Sequence, residues 1–368
     1  MMKTAYMDYN ATAPILPSAA SAMADAINLV GNPSSVHRLG REARAKMEAA
    51  RDAVAALVNA PRDWVIFTSG GTEADALALN GVDCERVLVS AVEHAAVLNA
   101  RADVEVIAVD ANGVIDLVAL EDMLDGRSTL ISVMAANNET GVIQPVKDVV
   151  ALARKHGALV HCDAVQAIGK TEFDMLALDL DMVSLSAHKI GGPQGVGALV
   201  KRDGINLNAI QRGGGQERSL RGGTENLIGI IGFGAAAKEI MDFSTIGALR
   251  DLLETQTKTL GAMVLGETVE RLPNTSCFAF EGLTSERQVM ALDLAGVMVS
   301  AGSACSSGTV KASHVLKAMK VDEELANCAI RVSLGWGSTK DDVDMFVEAW
   351  SKLVERVQTR KSSRSNAA

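Results

Sequence analysis

The sequence has no pair of cysteines at C-x-x-C spacing. Its five cysteines, Cys84, Cys162, Cys277, Cys305 and Cys328, are odd in number and scattered. That pattern indicates neither a disulfide framework nor a zinc site, and a reducing cytoplasm is expected. Basic charge is short as well: 35 Lys+Arg stand against 45 Asp+Glu, for a net charge of −10. A general nucleic-acid binder would carry a basic surface instead. No uninterrupted apolar run is long enough to span a bilayer, so no membrane partner is expected. The opening residues, Met1 to Asp8, lack the apolar core of a secretory signal. No internal repeat or low-complexity linker interrupts the chain. What remains is 368 residues, 48% of them hydrophobic, which is enough for two domains and a sizeable core.

From residue 64 a rhythm begins in which short apolar runs alternate with helix-like segments. The runs are Trp64–Phe67, Val87–Val89, Val104–Val109, Leu130–Met134, Ala158–Val160, Met182–Leu185 and Val196–Val200. Runs of this kind predict an α/β protein with a mostly parallel, seven-stranded sheet covered on both faces. Before the rhythm, Ser18–Val30 and Leu39–Asn59 have helical patterns. After residue 245 the order becomes helix, strand, helix, strand, with a helix predicted over Leu249–Leu265 and strands over Ser276–Phe280, Val297–Val299 and Ile330–Leu334. The expected division is an N-terminal arm over 1–15, a large domain over 16–244, and a smaller α+β C-terminal domain over 245–368.

Open parallel sheets bind ligands beyond the carboxyl ends of their strands, so the residues that follow each run are the candidates. Thr68-Ser69-Gly70-Gly71-Thr72-Glu73 opens a helix, where backbone N–H groups and the helix N-terminus favour an anion; an ordinary Thr N-cap is the alternative. Ser90-Ala91-Val92-Glu93-His94 supplies an imidazole and Asn137-Asn138 supply amides. His161-Cys162-Asp163 supplies a carboxylate, with Gln166 close behind. A His-x-Asp metal pair competes with this reading, but no third ligand lies at a useful spacing. By strand alternation His161 shares a face with Asp163 and could orient it. Ser186-Ala187-His188-Lys189 closes the series. A lysine at the end of a buried strand has its charged form disfavoured and becomes a nucleophile towards a carbonyl; the alternative is a lysine that turns to water. By the same alternation Ser186 and His188 share one face. Together these strand ends match the demands of pyridoxal 5′-phosphate (PLP), which needs a lysine for its aldehyde, a carboxylate for its ring nitrogen and donors around its phosphate.

Two stretches mimic other sites. Gly232-Phe233-Gly234 resembles a dinucleotide fingerprint, yet it falls inside a helical pattern, so close helix packing is the better reading. The Gly-rich stretch from Arg212 to Thr224 lacks the order of a phosphate-binding P-loop. Cys305 lies in Gly302-Ser303-Ala304-Cys305-Ser306-Ser307-Gly308, directly after a predicted strand. A thiol among small polar residues is placed to react, whereas structural cysteines sit among apolar ones.

In combination these motifs resemble the PLP-dependent cysteine desulfurases of the NifS/IscS type, in the class V aminotransferase family. The resemblance runs from Asp8-Tyr9-Asn10-Ala11-Thr12 through Asn32-Pro33-Ser34-Ser35 and the motifs above to Ile330-Arg331-Val332-Ser333-Leu334-Gly335. It implies the type I fold of PLP-dependent transferases. It implies that Lys189 bonds the cofactor, that His94 stacks on its ring and moves protons, and that Asp163 partners the ring nitrogen. Gln166 would partner the ring hydroxyl, Asn138 would lie near ring and substrate, and Gly71, Thr72, Ser186 and His188 would hold the phosphate. Thr224 would reach the phosphate of a neighbouring subunit, which implies a homodimer. Arg331, helped by Asn32, would bind the carboxylate of L-cysteine. Cys305 would take up sulfur as a persulfide, release L-alanine and pass the sulfur to an acceptor, as in iron–sulfur cluster assembly. Selenocysteine lyase, or another PLP enzyme of this family, is the alternative. Ala312, where a proline is common, Gly335-Trp336-Gly337-Ser338, and the end of the chain depart from the family pattern, and these departures bear on the acceptor.

Overall fold

The computed structural model describes residues 3–239, 241–301 and 313–365, with 360–365 described by their backbone alone. Cys305 and Ala312 lie outside the described residues. The strands in chain order are β1 (Ala5–Tyr6), β2 (Val65–Thr68), β3 (Arg86–Ser90), β4 (Glu105–Ile107), β5 (Thr129–Ser132), β6 (Leu159–Asp163), β7 (Met182–Ser186) and β8 (Gly197–Lys201), followed by β9 (Met263–Val264), β10 (Thr275–Ala279), β11 (Val297–Met298), β12 (Ser300–Ala301) and β13 (Ala329–Ser333).

β2 to β8 form the expected seven-stranded sheet in the order β2-β8-β7-β6-β5-β3-β4. Every neighbouring pair is parallel except those made by β8, which runs against both β2 and β7. The strands read as unbroken apolar runs because both faces are covered. Val65, Phe67, Leu88, Ile131, Val160, Val183, Leu185, Ala198 and Val200 join one core cluster. Their alternates Ile66, Val87, Val89, Leu130, Met182 and Leu199 join another on the opposite face.

Gly232 and Gly234 lie inside the helix Leu227–Ala237. A Cβ on Gly234 would sit 2.5 Å from the Cα of Ala50, on the neighbouring helix Arg38–Leu57. The glycines therefore serve close helix packing, as the sequence pattern indicates.

The second sheet, β12-β13-β10-β9, is antiparallel. It is covered by Ser244–Thr259, Ser285–Leu294 and Lys340–Ser365. Its core centres on Trp350, which meets Phe278 edge-on with ring centroids 5.6 Å apart. Two expectations are corrected here. The helix expected to reach Leu265 stops at Thr259, because Gly261 takes φ +99° and closes the end with backbone bonds to the last turn. The chain then pairs as β9 with β10. The single strand expected over Val297–Val299 is two short strands: β11 pairs in parallel with β1, and β12 pairs with β13. Among the described residues no helix is long and apolar enough to cross a membrane.

Candidate active site

A cavity of about 360 Å³ lies at the carboxyl ends of β5, β6 and β7. Of the residues selected from sequence, Gly71, Thr72, His94, Asn138, Asp163, Gln166, Ser186, His188, Lys189 and Arg331 line it. Asn32 and Thr224 do not. Asn32 instead closes its own turn, its Oδ1 accepting from the Ser34 N–H at 2.8 Å.

Lys189 ends a short 3₁₀ turn, Ala187–Lys189, that follows β7. Its Nζ donates to the carbonyls of Asn10 at 2.6 Å and Ala11 at 2.8 Å. Burial and the nearby Arg331 guanidinium lower its pKa to about 8, against the pull of Asp163 and Asp8. The extended run stops at Ser186, so strand alternation does not describe His188; both side chains reach the cavity all the same. His188 Nδ1 lies 3.2 Å from the Thr12 hydroxyl, and burial, then Lys189, brings its pKa down to about 4.

Asp163 ends β6 and accepts from the Val165 N–H at 2.9 Å. Burial raises its pKa to about 6, while that N–H and Lys189 pull it down. Two more carboxyls are buried close by. Asp75 and Glu93 are both pushed well up, first by burial and then by the charge of Asp163. Among the described residues Asp75 Oδ1 and Glu93 Oε2 have no hydrogen-bond partner. His161 does not orient Asp163, contrary to the strand-face expectation. Its ring is held between the hydroxyls of Ser132 and Ser184, each at 2.8 Å, and the carboxylate it approaches is Asp75, at 3.7 Å. Sealed at 0% exposure, it is kept neutral, with its pKa lowered to about 3.

The far end of the cavity is the N-terminus of the helix Gly71–Gly81. A Cβ on Gly71 would lie 2.9 Å from Val165, so glycine permits the close approach of helix and β6 loop. Glu73, in the first turn, would repel an anion there. Its carboxylate is occupied, accepting from the Ser69 N–H at 2.8 Å and pairing with Arg221 at 2.7 Å. His94 caps the helix Ala95–Leu98, its Nδ1 accepting from the Ala96 N–H. Its ring faces the cavity, and surrounding protein, then Lys189 and His314, lowers its pKa.

Arg331, on β13, donates to Asp8 Oδ1 at 2.7 Å and to the Asn138 carbonyl at 3.0 Å. Among the described residues its buried Nε has no partner. Asp8 also accepts from the Ser300 hydroxyl at 2.9 Å. Sequence reasoning missed Asn10, Asp75 and Ser300, which line the cavity, and Lys170 beneath it. Helical spacing would have flagged one of these, because Asp75 stands four residues after Gly71 in the helix Gly71–Gly81.

Thr224 is exposed at the end of the Gly-rich segment. Within that segment Glu217, Arg218 and Ser219 all take left-handed backbone angles, at φ 44°, 57° and 64°, an unfavourable state for residues with a Cβ. What holds them is buried. Glu217 makes a two-pronged pair with Arg51 at 2.7 and 2.8 Å and accepts from the Phe67 N–H at 2.9 Å. Glu217→Ala would leave the buried Arg51 guanidinium without its two-pronged partner, with only Glu48 at 3.4 Å still paired to it. A loss of about 3–5 kcal/mol is expected, read as a lower urea midpoint. An unchanged midpoint would show that the pair does not anchor this segment.

The family profile described as aminotransferase class-V matches residues 5–346. A cysteine desulfurase from Cereibacter sphaeroides is 43% identical over 97% of this chain and 97% of its own length. The cysteine desulfurase IscS of Dictyoglomus turgidum is 37% identical over 98% and 96%. A NifS-like protein from Rickettsia africae, solved by X-ray crystallography, superposes with a TM-score of 0.90 at 33% identity, over 96% of this chain and 100% of that one.

Proposed function

The chain belongs to the class V aminotransferase family, and from that premise we propose that it is a cysteine desulfurase, converting L-cysteine to L-alanine with PLP as cofactor. One observation carries the proposal. A half-buried lysine with a pKa of about 8 and a buried carboxylate line one cavity, whose far end is a helix N-terminus. The donor set suits PLP. Lys189 Nζ would bond its aldehyde, Asp163 would face its ring nitrogen, and Gln166 its ring hydroxyl. His94 would lie against the ring, and Gly71, Thr72, Ser186 and His188 would hold its phosphate. When bound, PLP supplies an electron sink that weakens the bonds at an amino acid's Cα.

The chain's own residues do the rest. The Arg331 guanidinium, whose Nε has no partner among the described residues, would bind the substrate carboxylate, with Asn138 beside it. Lys189 Nζ would take the Cα proton. Cys305 Sγ would attack the substrate sulfur: an S–S bond forms, the Cβ–S bond breaks, and the carbon fragment takes up a proton and leaves as L-alanine. Cysteine plus thiol become alanine plus persulfide, so no outside oxidant is needed. The persulfide would pass to an acceptor protein; a scaffold for iron–sulfur cluster assembly is our reading. That thiol chemistry suits a reducing cytoplasm. We divide the chain into the arm 1–15, a large domain 16–244 that holds the cofactor, and a small domain 245–368 that carries Arg331 and Cys305. The purified protein with L-cysteine and a reductant should release alanine and sulfide in equal amounts; no alanine would overturn the proposal.

The state of Lys189 gives a pH test. Only the neutral amine attacks an aldehyde, and its fraction falls about tenfold for each pH unit below the pKa. Loading of the apoprotein with PLP, followed by absorbance, should accelerate up to about pH 8 and level off above it. A rate independent of pH from about 6 to 9 would contradict the lowered pKa.

Thr224 does not line the cavity of its own chain, and we assign it to the phosphate of a second copy. Mixed dimers of Thr224→Ala and Lys189→Ala protomers should then regain one intact site. No recovered activity after verified exchange would return Thr224 to its own chain.

A further inference from the structure

Lys170 is only 7% exposed. Burial, then Lys189 and Arg331, drives its pKa well down, and no acidic neighbour opposes them. Its Nζ donates to Gln166 Oε1 at 2.6 Å and to Asn10 Oδ1 at 2.9 Å. Both acceptors line the cavity. A lysine amine, charged or neutral, keeps at least two N–H groups, so both of these bonds stand in either state.

The two amides have no freedom to flip. Gln166 Nε2 donates to the Asn10 backbone carbonyl at 2.9 Å, an atom that can only accept. Asn10 Nδ2 donates to the Thr275 hydroxyl at 2.8 Å and to the Asn138 carbonyl, while its Oδ1 also accepts from Asn274 at 3.1 Å. The Asn10 carbonyl that receives Gln166 also receives Lys189 Nζ. Lys170 thus stands behind two cavity-lining amides and behind the peptide that holds Lys189.

We propose that Lys170 is a positioning residue: by fixing the oxygen faces of Gln166 and Asn10, it makes Gln166 present an N–H donor to the group bound in the cavity. The inference rests on the cofactor reading above, in which that group is PLP and its ring hydroxyl is the partner. With Lys170 removed, Gln166 Oε1 loses the donor that holds it and the Asn10 carbonyl alone still orients the amide, so the N–H presented to the ring oxygen is held less firmly. The cost of one misdirected hydrogen bond is about tenfold in affinity.

The test is Lys170→Met, which keeps the stem and removes the amine. The PLP Kd should rise about tenfold and the cofactor's visible band should shift, while the thermal midpoint changes little, since losing a buried amine without an anionic partner offsets the acceptors left unpaired. Lys170→Gln, which keeps one N–H donor, should fall between. In a Gln166→Ala background the Lys170→Met change should cost less than about twofold, because the residue it positions is gone. Additive losses in that cycle, or a fall in midpoint that tracks the loss of affinity, would overturn the inference. A wild-type protein that takes up no PLP would sink the cofactor reading alone. The positioning claim is then decided by a crystal structure of the Lys170→Met apoprotein, and Gln166 and Asn10 found unmoved there would overturn it.

Discussion

Cys305→Ser should take up PLP and L-cysteine normally and form almost no alanine. The expected loss is roughly a thousandfold or more, since a nucleophile rather than a neighbour of the reaction is removed. Cys162, on β6, and Cys277, on β10, are at 0% exposure, and Cys328 is buried in the same core cluster as Cys277. Burial raises the pKa of Cys162 and carries Cys277 up to about 12, so neither offers a thiolate. Cys84 is partly exposed, but burial raises its pKa too, and none of these four lines the cavity. Ser300, a few positions before Cys305 in sequence, does line it. Mass spectrometry after L-cysteine should find about 32 Da of added sulfur per atom on the peptide containing Cys305, the mass of one sulfur in a persulfide. Sulfur on Cys84 or Cys328, or full activity in Cys305→Ser, would defeat the assignment.

Lys189→Ala should lose both the covalent cofactor link and turnover. The protein should hold PLP only by its phosphate and ring contacts, and borohydride should fix no PLP to the chain. Turnover should fall roughly 10⁴-fold, at the upper end of what one acid–base group contributes, because the same Nζ would bond the cofactor and take the Cα proton. The site is prepared for an amine and not for a bulkier cation. Two carbonyls, of Asn10 and Ala11, receive the Nζ, and burial with Arg331 brings it within reach of neutrality. A borohydride-stable PLP adduct in the cavity of Lys189→Ala would show that another amine does this work. Lys170, which is buried, is held by Gln166 and Asn10 beneath the cavity, and a peptide map would distinguish the two.

The sequence by itself determined the seven strands, and with them the mostly parallel sheet. A strand covered on both faces must be apolar at every position, and such runs stand out against the helices between them. It also determined most of the cavity wall, because in a parallel sheet the residues just after each run share one end of the sheet. That rule found Thr72, His94, Asn138, Asp163, Ser186 and Lys189. The partnerships were decided by tertiary structure alone. His161 has the parity to face Asp163, yet Ser132 and Ser184 on the two flanking strands take both ring nitrogens, and spacing along one strand cannot reveal its neighbours. Asp8 and Arg331 are 323 residues apart and meet because β1 and β13 bring the arm beside the second sheet. The breaks at Gly261 and between β11 and β12 depend on a backbone angle and on a change of pairing partner. Hydrophobic periodicity reports burial, and burial is a property of each residue alone. A hydrogen bond or a shifted pKa belongs to a pair, and only folding chooses the second member.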